Sequence, residues 1–393
     1  MRRWLVFVVF AVACGGGKNT DGDGPDGGAC AQDCGDQICS TTGECVDHGT
    51  CRSTDDCKPD TICSANLTCI PVGTCAADGD CGAGMKCDLA SNMCVIGGCG
   101  GQLLDLTYVP PNLLLVLDRS CSMRTNLTGT QTSKWSAAVA ALTSVLGTYS
   151  TDVRWGLTMF PDTTNNSCSQ DAIPLPVANN NAAPISTLLD AALATTDPNY
   201  PDGPCVTNID TGITQAATDP ALADATHKSY VMLISDGAQA GCDLAGGDAG
   251  TETAIGNLFT MRDVATFVVG FGSGTDAAQL NTFAIAGGKP LAGATKYYQA
   301  DTAAQLDQAF QSIAGLVVSC DYTVNPPPPD LAQTYVFYEN TELVPRDPTH
   351  AAGWDYDPVT MTLTMYGSYC DRLKSKVVDD VDVVFGCPTP PIL

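Results

Sequence analysis

The segment Leu113-Leu-Leu-Val-Leu-Asp-Arg-Ser-Cys-Ser-Met123 joins an uninterrupted apolar run to a polar one. Five consecutive large aliphatic residues are typical of a parallel strand that is covered on both faces. Parallel strands need crossover connections, and the apolar residues between Trp135 and Tyr149 recur at helical spacing. The segment therefore predicts the first strand of an α/β domain.

The alternation of strand and helix continues along the chain. Further apolar strands are predicted at 153–160, 230–234 and 267–269. A later helical stripe consists of Leu306, Phe310, Ile313 and Val317. Strands that alternate with helices indicate a doubly wound α/β fold with a mostly parallel sheet, which we place at residues 99–319.

Oxygen-bearing side chains follow the first predicted strand at alternate positions, Asp118, Ser120 and Ser122. In open α/β sheets, ligands bind at the carboxyl ends of the strands. Carboxylate and hydroxyl oxygens are ligands that suit a hard cation such as Mg²⁺. The pattern predicts a metal site at this edge of the sheet.

This Asp-x-Ser-x-Ser run resembles the metal-ion-dependent adhesion site of von Willebrand factor type A domains and integrin inserted domains. The segment Cys205-Val-Thr-Asn-Ile-Asp-Thr-Gly-Ile213 is similar to the second metal loop of the family, with Thr207 in the ligand position. The segment Ile234-Ser-Asp-Gly237 is similar to the third loop, with Asp236 as the ligand. The resemblance covers roughly residues 100–319.

The resemblance implies a binding function rather than an enzymatic one. It implies that hydroxyls of Ser120, Ser122 and Thr207 coordinate the ion, while Asp118 and Asp236 act largely through bound water. The ion, expected to be Mg²⁺ with Mn²⁺ or Ca²⁺ as alternatives, then keeps electrophilic character. A Glu or Asp of a protein partner completes its octahedral shell.

Each of these residues also has a structural interpretation. Thr207 and Asp210 have the spacing of a capping box, and Asp236-Gly237 could form a simple turn. A structural envelope protein with an idle metal site is a further alternative. An enzyme on the same scaffold is a third, although Gly270-x-Gly272-x-Gly274 lacks the full spacing of a nucleotide loop, and we find no Gly-x-Ser-x-Gly elbow or histidine-based triad.

Cysteines accompany the predicted metal loops at Cys121, Cys168, Cys205 and Cys242. Cys121 stands where the family usually has Gly, and it lacks the backbone freedom of Gly. The three histidines lie outside these loops, which argues against Cys121 as a nucleophile. We expect two disulfides that brace the metal loops, with the pairing left open.

The N-terminus predicts export. Met1-Arg-Arg3 is a short positive region, and the apolar run Trp4–Ala13 is too short to span a membrane. Ala11-Val-Ala-Cys14 resembles the lipobox of bacterial lipoproteins, in which Cys14 would be lipidated, and an ordinary secretory signal is the alternative. We expect a signal peptide at 1–14, a Gly/Asp-rich flexible tether at 15–29, and a lipid anchor in the bacterial cell envelope, at the outer membrane or cell surface.

Residues 30–98 contain a cysteine repeat. Three groups of four share a similar spacing: Cys30, Cys34, Cys39 and Cys45; Cys51, Cys57, Cys63 and Cys69; Cys75, Cys81, Cys87 and Cys94. In an exported chain this spacing predicts three small disulfide-linked modules, similar to EGF-like or Dickkopf-like modules. Zinc ligation is the competing interpretation, but the gaps are longer than those of zinc knuckles.

Cysteine parity predicts one further disulfide. Thirteen of the 21 cysteines lie between residues 30 and 99, and three modules use twelve of them. Cys99 is thus expected to pair with Cys320, Cys370 or Cys387, which closes a long loop. These partners lie in residues 320–393, where strands predicted at 361–365 and 381–385 indicate a small β region.

The chain is strongly acidic, with a net charge of −25 from 43 acidic and 18 basic residues. Nucleic-acid binding needs a basic face, so this class of partner is excluded. Electrostatic docking on an anionic membrane is excluded for the same reason.

Overall fold

The structure of the 393-residue chain is a computed structural model. It describes residues 37–40, 43–81, 85–89, 91–96, 102–162, 168–170, 172–203, 205–272, 274–339, 341–378 and 380–387. The chain divides into two units, one of residues 1–103 with 384–393 and the other of residues 104–383. The predicted signal peptide, the lipidation site Cys14 and the tether lie outside the described residues. Among the residues described, no helix has both the length and the apolar character needed to cross a membrane.

The described part of the N-terminal unit contains three β-hairpins, one for each cysteine group. They are formed by β1 (Ile38–Cys39) and β2 (Cys45–Val46), β3 (Thr61–Cys63) and β4 (Cys69–Pro71), and β5 (Met85–Asp88) and β6 (Met93–Ile96). In the second and third modules the first cysteine pairs with the third and the second with the fourth: Cys51–Cys63, Cys57–Cys69, Cys75–Cys87 and Cys81–Cys94. These sulfurs are therefore in disulfides and not available to zinc.

An aspartate ahead of the second cysteine shapes each of these two modules. Asp56 accepts hydrogen bonds from the backbone N–H groups of Arg52 and Ser53 at 2.7 and 2.9 Å. Asp80 accepts the equivalent bonds from Ala76 and Ala77, also at 2.7 and 2.9 Å. The spacing of the cysteines thus corresponds to a repeated local structure, closed by the same carboxylate.

The second and third modules are also joined to each other. The second carboxylate oxygen of Asp80 accepts a hydrogen bond from the backbone N–H of Ala65, in the preceding module. The side-chain amide of Asn66 donates to the backbone carbonyl of Ala76 at 3.2 Å. Hydrogen bonds therefore hold the second and third modules in contact with each other.

Three further cysteines are disulfide-bonded. Cys39 and Cys45, the third and fourth cysteines of the first module, are both disulfide-bonded, and so is Cys387. Cys320 pairs with Cys370, which leaves Cys387 as the remaining candidate partner of Cys99. Cys99 lies outside the described residues, so its pairing stays a prediction.

Peptide mapping of the unreduced protein by mass spectrometry tests these pairings. The module repeat leads us to expect the linkages Cys30–Cys39 and Cys34–Cys45, and cysteine parity leads us to expect Cys99–Cys387. A free thiol at Cys99 would contradict the parity argument. A Cys30–Cys45 linkage would show that the first module departs from the repeat.

Strand β7 (Gln102–Tyr108), most of which belongs to the second unit, precedes a six-stranded sheet. The strands of this sheet are β8 (Asn112–Asp118), β9 (Arg154–Phe160), β10 (Leu175–Ala178), β11 (Ser229–Ser235), β12 (Ala265–Phe271) and β13 (Tyr298–Ala300). Its helices are α1 (Lys134–Thr148), α2 (Ala182–Ala191), α3 (Ile209–Ala216), α4 (Gly247–Arg262), α5 (Ala277–Ala286) and α6 (Ala303–Val317). The strand order is β10-β9-β8-β11-β12-β13, and only the β10–β9 pairing is antiparallel. The predicted doubly wound, mostly parallel α/β fold is confirmed.

The burial of strand β8 explains the uninterrupted apolar run at residues 113–117. All seven of its residues are buried. Leu113, Leu115 and Leu117 pack into the core that contains α1, α2 and α6. Leu114 and Val116 pack into the core that contains α3, α4 and α5. Because neighbouring side chains of a strand point to opposite faces, the middle of a strand covered on both faces is apolar at consecutive positions.

The C-terminal region forms a larger sheet than the small β region that was expected. Its strands are β14 (Asp321–Asn325), β15 (Thr334–Tyr338), β16 (Glu342–Val344), β17 (Gly353–Asp357), β18 (Thr362–Tyr366) and β19 (Val381–Phe385), with α7 (Gly367–Lys374) before β19. The strand order is β16-β15-β19-β7-β14-β18-β17. Residues 102–108 fall within the predicted limits of the α/β domain, yet as β7 they pair antiparallel with β14.

Candidate metal centre

The strand order of the six-stranded sheet reverses between β8 and β11. The chain continues from β8 to β9 on one side, and from β11 to β12 on the other. Side chains that follow the carboxyl ends of two such strands border a crevice in which ligands bind. Asp118 ends β8 and Asp236 directly follows β11, so the fold places both predicted ligands at this crevice.

Asp118 is fully buried and held at both of its carboxylate oxygens. The backbone N–H of Ser120 donates to Oδ1 at 2.8 Å, and the hydroxyl of Ser235 donates to Oδ2 at 2.7 Å. Burial, together with the negative charge of Asp236, raises the pKa of Asp118 to about 7. Two buried carboxylates close together are unfavourable unless positive charge compensates them, so this pair favours a cation.

The two serines of the first loop connect it to Asp236. The hydroxyl oxygens of Ser120 and Ser122 are 2.8 Å apart, and the Ser122 hydroxyl donates to Oδ1 of Asp236 at 2.7 Å. Ser120 and Asp236 are both buried. The structure therefore brings four of the five predicted ligands together in one continuous set of hydrogen bonds.

Thr207, the fifth predicted ligand, approaches from another loop. Its backbone forms two hydrogen bonds of 2.9 Å with Ala240, in the loop after β11. Its Oγ1 lies 3.6 Å from the position that a Cβ on Gly237 would take, next to Asp236. Within the described part of the chain the Thr207 hydroxyl makes no hydrogen bond, so its oxygen is available to a ligand.

The capping-box interpretation of Thr207 and Asp210 is wrong. Helix α3 has Asn208 as its N-cap, and the backbone N–H of Thr207 donates to Ala240 instead of to Asp210. The Asp210 carboxylate accepts bonds from the N–H groups of Ala245 and Gly247 at 2.9 and 3.0 Å. Asp210 thus secures the loop after β11.

Lys134, the first residue of α1, is an unexpected member of the centre. Its ammonium donates to Oδ2 of Asp236 at 2.7 Å. No local pattern in the sequence marks Lys134, since the contact joins residues 102 positions apart. Ser235 was also missed, because its contact with Asp118 spans 117 positions.

Two disulfides link the loops around the crevice. Cys121–Cys205 joins the loop of Asp118 to the loop of Thr207, and Cys168–Cys242 joins the segment after β9 to the loop after Asp236. The backbone of Cys121 is not left-handed, so the loop accommodates a Cβ where the family usually has Gly. Each loop that carries a predicted ligand is therefore covalently braced.

The donor set of the crevice fits a hard divalent cation. The carboxylates of Asp118 and Asp236 are both buried, and the ammonium of Lys134 pairs with Asp236. The remaining groups are the hydroxyls of Ser120, Ser122 and Thr207, and the neighbouring cysteines are in disulfides. An all-oxygen set with excess negative charge suits Mg²⁺, Mn²⁺ or Ca²⁺ better than a softer metal.

No protein-family model matches the sequence, and a comparison with curated proteins finds no match. Solved structures that are similar to this chain include proximal thread matrix protein 1 from the mussel byssus, at 14% identity and a TM-score of 0.39, covering 57% of this chain and 50% of the mussel chain. A further structure of that mussel protein is described as having a zinc-occupied MIDAS motif.

Two other similar structures come from bacteria. The pilus adhesin SpaC from Lactobacillus rhamnosus GG is 13% identical with a TM-score of 0.41, covering 71% of this chain and 39% of the adhesin. A von Willebrand factor type A structure from Catenulispora acidiphila is 13% identical with a TM-score of 0.40, covering 72% of this chain and 59% of that one. The chain thus spans about half of the length of these structures, and the likeness concerns the general fold alone.

Proposed function

We propose that the chain is an exported binding protein whose crevice holds a divalent cation and captures a carboxylate of a protein partner. One observation carries this proposal. Buried Asp118 and Asp236 are connected through the hydroxyls of Ser120 and Ser122, at the point where the strand order reverses. The nearby hydroxyl of Thr207 adds a fifth oxygen ligand from a separate loop.

The hydroxyl and carboxylate residues of the crevice would have different roles in metal binding. The hydroxyls of Ser120, Ser122 and Thr207 would contact the ion directly. Asp118 holds the serine loop through the N–H of Ser120 and supplies negative charge, while Asp236 orients the hydroxyl of Ser122. Neutral hydroxyl ligands leave most of the positive charge of the cation uncompensated, and this charge is what attracts an acidic group of the partner.

Export and anchoring complete the proposal. Disulfide-linked modules are typical of proteins that fold in an oxidising compartment outside the cytosol. Cys14 would carry a lipid in the bacterial cell envelope, at the outer membrane or cell surface, and the Gly/Asp-rich segment 15–29 would act as a flexible tether. The lipid would be the sole membrane contact of the protein.

Capture of envelope proteins by the immobilised full chain tests the binding function. We expect proteins to be retained in Mg²⁺, released by EDTA, and retained again when Mg²⁺ is restored. Retention that chelation does not change would contradict metal-dependent capture. Calorimetric cation binding without any chelator-sensitive capture would favour the idle, structural alternative.

The substitution Thr207→Val tests the ligand set. Valine is similar in size to threonine but has no hydroxyl. The loss of this ligand should weaken Mg²⁺ binding roughly tenfold, as for other polar contacts to a charged group. The melting temperature in EDTA should stay the same, because this hydroxyl makes no hydrogen bond among the described residues. Titration calorimetry measures the affinity.

Thr214→Val is the matched control for this variant. The Thr214 hydroxyl donates to the backbone carbonyl of Asp210, within α3. This variant should lose a little stability and keep the affinity of the wild type for Mg²⁺. Equal cation affinity in Thr207→Val and Thr214→Val would remove Thr207 from the ligand set.

A further inference from the structure

Lys134 places a positive charge inside the proposed metal centre. Its ammonium is 2.7 Å from Asp236, and its side chain is 12% exposed while that of Asp236 is fully buried. A lysine that gives up most of its hydration needs a close anionic partner in return. The partner of Lys134 is one of the two carboxylates that a divalent cation would also need.

The sequence makes room for this lysine at a glycine. Gly272 has a φ of +87°, and a Cβ at this position would lie 2.9 Å from Cε and 3.4 Å from Nζ of Lys134. Any larger residue would therefore push the ammonium from its place. Gly272, the middle glycine of Gly270-x-Gly272-x-Gly274, thus accommodates the lysine side chain.

The backbone fixes the base of the same side chain. The N–H of Lys134 donates to the carbonyl of Thr125 at 2.9 Å. Ser133, the N-cap of α1, accepts a hydrogen bond from the N–H of Ser136. The stem of Lys134 therefore starts from a capped helix end and lies against Gly272, with its ammonium directed at Asp236.

We propose that Lys134 is a tethered cation that competes with the divalent metal for Asp236. In the metal-free chain the lysine neutralises Asp236, and metal binding displaces the ammonium. This inference rests on the proposed function, since it assigns a regulator to the same site. A centre of this kind binds its ion more weakly than its oxygen ligands alone would allow, so occupancy follows the cation concentration around the protein.

Lys134→Met tests the competition, because methionine keeps much of the length of the side chain and removes its charge. We expect Lys134→Met to bind Mn²⁺ at least about tenfold more tightly than the wild type, because a positive charge next to the ion is removed. Lys134→Arg, which keeps the charge, should stay within about threefold of the wild type. Titration calorimetry on the full chain gives these affinities, and Lys134→Gln serves as a second neutral variant should Lys134→Met not fold.

Lys228→Met is the matched control. Lys228 also pairs with an aspartate, Asp321, at 3.2 Å, but it precedes β11, whereas Asp236 follows this strand. The variant changes the net charge by the same amount at the far end of the same strand. Its Mn²⁺ affinity should stay within about twofold of the wild type.

Chemical labelling tests displacement directly. Reductive dimethylation followed by mass spectrometry should modify Lys134 slowly in EDTA, because its ammonium is paired and mostly buried. Saturating Mn²⁺ should increase the labelling of Lys134 severalfold and leave that of Lys228 unchanged. Labelling of Lys134 that Mn²⁺ does not increase would contradict displacement.

The outcomes separate this inference from the function on which it rests. Equal or weaker Mn²⁺ binding by the neutral variants, with measurable binding by the wild type, would overturn the competition and leave the metal centre intact. Failure of the wild type and of every Lys134 variant to bind Mn²⁺ would overturn both. Tight binding by a neutral variant alone would support both, since the lysine would then be the reason for a weak wild-type site.

Discussion

Asp118→Asn is expected to weaken cation binding severely while the chain stays folded. The asparagine keeps the shape of the side chain, and its amide oxygen still accepts from the N–H of Ser120. The hydroxyl of Ser235 can turn to accept from the new amide group, since it also lies 3.1 Å from the carbonyl of Gly237. The loss of one of two buried negative charges should weaken Mg²⁺ binding at least about a hundredfold, as measured by calorimetry.

Thermal unfolding tests a second expected effect of Asp118→Asn, which is a gain of stability in the absence of metal. In EDTA, Asp118→Asn should melt a few degrees above the wild type, because it removes the repulsion between two buried carboxylates. Addition of Mg²⁺ should raise the melting temperature of the wild type and leave that of the variant unchanged. A variant that still gains stability from Mg²⁺ would disprove the assignment of Asp118.

Asp219→Asn provides the control for a buried carboxylate outside the centre. Asp219 is fully buried and accepts hydrogen bonds of 2.9 Å from the N–H groups of Val177 and Ala221. An amide cannot accept both bonds with the strength of a carboxylate, so the variant should melt below the wild type. Its affinity for Mg²⁺ should not change.

Removal of the Cys121–Cys205 disulfide, by alanine at both positions, should strongly lower stability. The bond joins residues 84 positions apart, and the chain-entropy model gives up to about 4–5 kcal/mol for a loop of this length. The melting temperature should therefore fall by roughly 10 °C. Cation affinity should fall as well, because the loops of Asp118 and Thr207 lose their covalent link.

A second double variant separates stability from preorganisation of the site. Cys320 and Cys370 are 50 positions apart, so alanine at both should cost a similar amount of stability. Their bond lies in the C-terminal region, and its loss should leave Mg²⁺ affinity unchanged. If both double variants bound Mg²⁺ like the wild type, the Cys121–Cys205 bond would not be needed to preorganise the metal loops.

The α/β fold could be predicted because its signals are local. Strands β8, β9, β11 and β12 are mainly apolar, as is typical of strands that are buried on both faces. The C-terminal sheet was harder to predict. Its strand β7 pairs with β14, which lies more than 200 positions later, and no local pattern records such a partner.

The candidate site also has residues that local sequence signals predict and residues that only the tertiary structure brings into place. The five predicted ligands follow strands or precede a helix, and the topology of a doubly wound sheet brings such positions to one edge. Lys134 was missed because a lysine at the start of a helix is ordinary, and only the tertiary structure places it against Asp236. The pairing of the four cysteines at the metal loops likewise depends on distances between loops, which cannot be read from their positions in the sequence.

The disulfides of the second and third N-terminal modules determine how these modules respond to tension. The disulfides Cys51–Cys63 and Cys57–Cys69 overlap, as do Cys75–Cys87 and Cys81–Cys94, so tension along the backbone passes through covalent cross-links instead of unravelling the hairpins. The bond from Ala65 to Asp80 fastens one module to the next. A pull along this part of the chain would therefore leave the second and third modules almost inextensible.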